Sequence, residues 1–289
     1  MTKFKSIDIM KRIWTTVFLC SVIWIGQAQV TTPKASVPEV SRTTVGLTEV
    51  GIEYSRPSKR DRTVFGEVVP YGELWRTGAN ANSTIEFTDN VVIDGQTLKA
   101  GKYAIFTVPN EENWEVFFYD ETSNWGNQVK WDDTKVVAKT VAKVIKTNHT
   151  QETFSIALDH ITSDSATLTF AWDNVIATSK IEVPTDKKAM ASIKETMAGT
   201  PKAQDLLDAA NYYYNTDRDI NQAKNWIDQG IKMIEKPAFY QLHSQALIHA
   251  KAGDIKSAIS IAKQSLDASK AANDNAYIRM NEALLKKLQ

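Results

Sequence analysis

The 289-residue chain has one cysteine, Cys20, and it sits inside an apolar stretch near the start. Lys3, Lys5, Lys11 and Arg12 precede that stretch, which runs over residues 13–25 and gives way to Gly26-Gln27-Ala28. A basic start, a short apolar run and small residues at −3 and −1 are the marks of a cleavable secretory signal. The run is shorter than the roughly 20 residues that cross a bilayer. Phe18 and Leu19 before Cys20 do not suit lipid attachment, so the sequence predicts cleavage after Ala28 and export to the periplasm or the extracellular space. The mature chain then has no cysteine, which excludes disulfides and thiol chemistry. An exported protein without disulfides must be held by its core. About 260 residues are enough for that, divided into two domains.

An excess of charge is also missing. Removing Lys3, Lys5, Lys11, Arg12 and Asp8 from 34 basic and 34 acidic side chains leaves 30 against 33. That mildly acidic balance argues against a nucleic-acid or anionic-membrane partner, either of which favours a basic face. No second long apolar run follows, so no membrane span is expected after cleavage. Catalytic signatures are equally scarce: the chain has no HExxH, no GxSxG, no P-loop and no dinucleotide fingerprint. Its four histidines, His149, His160, His243 and His249, have no carboxylates at ligand spacing. Neither a metal site nor a cofactor is expected.

What the chain does have is alternation. From 45 to 184 apolar residues recur at every second position, the mark of half-buried strands. Val50, Ile52 and Tyr54 share one face; so do Phe154, Ile156 and Leu158, and Ala166, Leu168, Phe170 and Trp172. Asp94-Gly95 and Ala100-Gly101 supply turns. Nine or so short strands predict an antiparallel β-sandwich or jelly-roll-like domain over 45–184, preceded by a polar linker at 29–44. After Pro184 the period becomes helical, with stripes beginning near Leu206, Ile220, Phe239, Ile255 and Tyr277. Asp219 and Ala223 recur 35 residues on as Asp254 and Ala258, close to a tetratricopeptide spacing. Residues 185–289 therefore read as a tetratricopeptide-like all-α tail. Two helical hairpins and a trailing helix fall short of the three or so repeats that stand alone, so the tail is expected to dock on the β domain.

Several strings in the first domain are distinctive. They are Val45-Gly46-Leu47-Thr48, Tyr54-Ser55-Arg56-Pro57, Val69-Pro70-Tyr71-Gly72, Leu74-Trp75-Arg76-Thr77-Gly78-Ala79-Asn80 and Lys102-Tyr103-Ala104-Ile105-Phe106. Together they resemble the secreted bacterial family known as domain of unknown function 2911, over roughly residues 36–184. One departure is Asp61, where the resemblance implies glycine. The resemblance implies a fold, export and a helical tail, and no activity.

Chemistry is best sought between Ser55 and Ser83, a segment without strand or helix period inside a compact domain. Long structureless connections are functional or disordered, and Phe65, Tyr71 and Trp75 anchor this one against disorder. It also gathers Arg56, Lys59, Arg60, Arg62 and Arg76 against Asp61, Glu67 and Glu73. Arg56 continues the inward parity of Val50, Ile52 and Tyr54, and so needs a carboxylate, a carbonyl or an anionic ligand. Two readings stand. Arg56, Arg76 and Asn80, walled by Tyr71 and Trp75, form a pocket for a carboxylate-bearing or sugar-like ligand, or the arginines brace the loop. Trp125 and Trp131, on a loop after the strand ending at Tyr119, are either sugar-stacking platforms or loop anchors. Tyr212, Tyr213, Tyr214 and Trp226 in the tail either line a groove for a protein partner or pack within it. The sequence thus points to a non-enzymatic binding or interaction module, with a carbohydrate-active hydrolase as the rival.

Overall fold

The structure, a computed structural model, describes residues 32–126 and 130–289. The signal segment and its cleavage site lie outside the described residues. Nine strands make one antiparallel sheet in the order β1-β2-β3-β6-β7-β8-β9-β4-β5. They are β1 (Val37–Val45), β2 (Thr48–Arg56), β3 (Thr84–Phe87), β4 (Val91–Ile93), β5 (Gln96–Leu98), β6 (Gly101–Pro109), β7 (Asn113–Tyr119), β8 (Val136–Asp159) and β9 (Ser165–Glu182). The alternation accounts for the sheet's inner face. Thr48, Val50, Ile52 and Tyr54 on β2 are buried while Glu49 and Glu53 face out. Residues 37–44, read above as linker, form most of edge strand β1 instead. They do so without an apolar period because β1 is only partly buried and lies at the end of the sheet. Pro38 is tolerated at such an edge.

The long hairpin β8–β9 folds the sheet over its own core. Its register shifts between Lys146 and Gln151 and again before Ser155. Asp173 on β9 has φ +54° at the same level. Bulges of this kind bend a strand without ending it, so β8 and β9 each run unbroken through the bend. Beyond the bend, Thr153 bridges Ser58 on the segment after β2. The enclosed core joins Ile52, Ile105, Trp114, Phe154, Phe170 and Trp172, all at most 2% exposed. Strand β6 is buried on both faces, since Ala104 and Phe106 pack outward with Tyr119 and Trp131.

Six helices follow: α1 (Thr185–Ala198), α2 (Ala203–Asn215), α3 (Ile220–Lys232), α4 (Phe239–Lys251), α5 (Ile255–Ala271) and α6 (Asn275–Leu288). Asp219, Asp254 and Asp274 cap the N-termini of α3, α5 and α6 through backbone N–H groups of the first turn. Ala223 and Ala258, the repeat's small residues, are fully buried at the helix crossings. Helix α1 has no counterpart among the five predicted stripes, because Thr185 is its only buried residue. It nevertheless makes the junction. Leu47 N–H donates to Thr185 Oγ1 at 3.3 Å, and Lys188 Nζ donates to Leu47 O at 2.7 Å and to Asp89 Oδ2 at 2.6 Å.

Candidate functional site

The segment between β2 and β3 is held by single bridges rather than by strands. Trp75 N–H donates to Thr107 O at 2.7 Å and Thr107 N–H returns to Trp75 O at 2.9 Å. Its earlier part is a tight turn in which Arg62 N–H donates to Lys59 O at 3.2 Å. Arg60 and Asp61, the two central residues, have φ of +51° and +58°. That is the pattern of a type I′ turn, which favours glycine or asparagine at the centre. The turn is pinned to the bend of β8, because Lys59 N–H donates to Glu152 O at 2.8 Å and Lys59 Nζ pairs with Asp173 at 3.1 Å.

Two neighbouring cavities flank this segment. The first, of about 340 Å³, is lined by Arg60, Arg62 and Arg76, by Glu73 on its rim, and by Trp75 and Trp172 below. The two indoles stack at 6.0 Å with 19° between their planes. Arg62 is fixed by bonds from Nε to Lys59 O at 2.9 Å and from Nη2 to Ser58 O at 2.6 Å. Arg60 Nη2 donates to Ala35 O at 2.9 Å. Arg76 is half-buried, and burial pulls its pKa below the usual guanidinium value. A guanidinium starts so far above neutrality that it stays cationic. Three guanidinium groups, two of them held by backbone carbonyls, therefore line one cavity with one carboxylate, an arrangement suited to an anion.

The second cavity, of about 440 Å³, is lined by Glu53, Tyr54, Ser55, Asn80, Asn82 and Trp125. Ala35 and Ser36 line both cavities and so lie between them. Asn80, with φ +63°, donates from Nδ2 to Ser55 Oγ at 3.3 Å, and its carbonyl accepts Gly126 N–H at 2.9 Å.

The residues singled out from sequence are divided by this geometry. Arg76 and Trp75 belong to the first cavity, Asn80 and Trp125 to the second. Arg56 lines neither: its guanidinium pairs with Glu39 on β1 and donates from Nε to Phe154 O on β8 at 3.0 Å. Tyr71, 38% exposed, also lines neither cavity, and its ring lies against Gly66. Trp75 is 8% exposed and packs edge-on against Phe154 at 5.0 Å. It is the floor of the cleft and part of the core, and such a tryptophan costs about 3–5 kcal/mol to truncate. The two loop tryptophans part company: Trp131 stacks on Tyr119 at 4.5 Å, whereas Trp125 is 77% exposed. Arg60, Arg62, Trp172 and Asn82 were not among the sequence candidates. The charge cluster of the segment held the signal for the first two, and nothing in the local pattern marked the others.

In the tail the tyrosines are engaged locally. Tyr212 hydroxyl donates to Asp186 at 2.8 Å, Tyr213 lies edge-on to Trp226 at 4.8 Å, and Lys251 Nζ sits 4.7 Å from the Tyr214 ring centre. Among the described residues no group of three or more histidine, cysteine or acidic side chains is placed to hold a metal, and no helix is long and apolar enough to cross a membrane. The family model described as "Protein of unknown function (DUF2911)" matches residues 36–181. No curated protein and no solved structure matches the chain.

Proposed function

We propose, for a chain that belongs to the DUF2911 family of proteins of unknown function, that it is an exported binding module whose first cavity receives a small anionic ligand. The observation that carries this reading is the set of three guanidinium groups, Arg60, Arg62 and Arg76, around one cavity with the single carboxylate Glu73. Arg60 and Arg62, whose forks are fixed by backbone carbonyls, are preorganised for a carboxylate or phosphate and lose little freedom when it arrives. The stacked indoles under them give the cavity an apolar floor. The basic start and apolar run before Ala28 support export. Glycoside hydrolysis needs two carboxyl groups across one bond. Each cavity presents one, Glu73 in the first and Glu53 in the second, which favours binding over hydrolysis.

A thermal-shift titration of residues 29–289 with organic acids and inorganic phosphate tests the reading, because a ligand of the folded state raises the midpoint. The midpoint should rise with an acid, and Arg76→Ala should fold and lose most of that rise. Unchanged midpoints with every anion, or a rise that Arg76→Ala retains, would sink it.

A further inference from the structure

The second cavity differs in chemistry from the first. Its wall has no basic side chain apart from Lys34, and it carries amide, hydroxyl and indole groups. Two features single it out. Asn82 is only 6% exposed, and its Nδ2 donates to Glu121 O at 3.2 Å. Its Oδ1 is buried and has no hydrogen-bond partner among the described residues. Buried acceptors ordinarily have a partner, and a donor from a ligand supplies the one that is missing here.

The second feature is Trp125. An exposed tryptophan on a loop is ordinarily explained as an anchor, but here the backbone is the anchor. Asn82 N–H donates to Asn124 O at 3.1 Å, Gly126 N–H donates to Asn80 O at 2.9 Å, and Ala81 bridges Trp125. The loop is thus stitched to the segment 80–82 while the indole stays 77% exposed at the cavity. A rigid flat apolar face beside an unsatisfied acceptor fits a sugar ring. Its C–H face packs on the indole and its hydroxyls donate to Asn82 Oδ1.

Ala35 and Ser36 line both cavities, so the two sites adjoin. We infer that the second cavity is a saccharide subsite, and that the ligand is a short acidic oligosaccharide with its acid group among Arg60, Arg62 and Arg76 and a ring on Trp125. The inference rests on the anion-binding reading of the first cavity for the acid end alone.

Calorimetric titration of residues 29–289 with galacturonate, its trimer, the fully methyl-esterified trimer and inorganic phosphate tests it. The trimer should bind about tenfold tighter than galacturonate. Trp125→Ala should abolish that gain and leave galacturonate binding unchanged; since the indole is exposed, the variant should fold. Acids that bind equally well at any chain length, or a gain that survives Trp125→Ala, would overturn the subsite and leave the anion cavity standing. A methyl ester that binds through Trp125 while no free acid or phosphate binds would support the subsite and overturn the anion cavity. Absence of binding by all four probes would overturn both.

Discussion

Arg56 and Arg76 lie on the same segment, and their surroundings give them different work. Arg56 joins β1 to β8 through Glu39 and Phe154 O, with about a third of each charged side chain still exposed. Solvent screens such a pair, so its charge–charge part is small and the bond to the carbonyl is the larger share. Arg56→Ala should therefore lower stability by about 1 kcal/mol and leave the midpoint shift from an anionic ligand intact. Chemical denaturation with and without ligand reads both effects, and a lost ligand shift would place Arg56 in the site after all. Inward parity at Arg56 was visible as a repeat of two from Val50. Which of its possible partners it met was not, because Glu39 precedes it by 17 positions and Phe154 follows it by 98. Asp61 shows the same limit. The resemblance implied glycine there, and the left-handed φ of +58° supplies the physical reason, since aspartate is one of the few other residues that tolerates it.

Elements were legible in proportion to their burial. Strand β2 and the first part of β9 alternate cleanly because one face is sealed, and α3 shows its stripe because Ala223, Ile227 and Gly230 pack inward. Strand β1 and helix α1 bury little and so carry no period. The continuity of β8 and β9 through their bulges was hidden for another reason: a bulge inverts the alternation, which reads as a strand end. Helix α1 nonetheless depends on one glycine. Gly46, in the β1–β2 turn, has φ +56°, and a Cβ there would lie 1.9 Å from Thr185 Oγ1 and 2.1 Å from Ser163 O. Ser163 O belongs to the backbone and cannot yield without moving it, Thr185 Cβ would still lie 3.0 Å away if its hydroxyl rotated, and the left-handed conformation adds strain. Gly46→Ala should cost about 2–4 kcal/mol and detach α1 from the turn. Hydrogen exchange should then show lost protection at Leu47 and along α1, with the strands β6 and β7 protected as before. Unaltered exchange in α1 would show that the junction does not need this close approach.

At the scale of the molecule, both parts have apolar clusters and ion pairs, and the most strongly depressed carboxylate lies in the helices. Among the described residues, the β domain encloses an aromatic and aliphatic core whose only buried titrating groups are tyrosine hydroxyls. The helices have smaller apolar clusters, and they and their junction add carboxylates paired with cations; Glu121, Asp132 and Asp164 are lowered in the β domain as well, on its loops. Asp89 is held below the usual carboxylate range first by the Lys188 ammonium, Asp186 by the Arg218 guanidinium, and Asp254 most strongly, by Lys224 and then Ser257. Each has a folded pKa below its ordinary value of 3.8. The stability it contributes is therefore complete above that value and is lost as pH falls through it toward the folded pKa. Acid should loosen the junction and the helices before the β core. On titration from about pH 5 to about pH 2, the helical far-ultraviolet signal should fall at a higher pH than the near-ultraviolet signal of the packed tryptophans. Asp254→Asn removes the most depressed carboxylate while leaving a side chain that can still cap α5. It should lower the tail's stability near neutrality and flatten its dependence on pH. A single coincident acid transition by both signals would mean that the two parts unfold as one, and that α1 couples them more tightly than its few bonds to Leu47 and Asp89 imply.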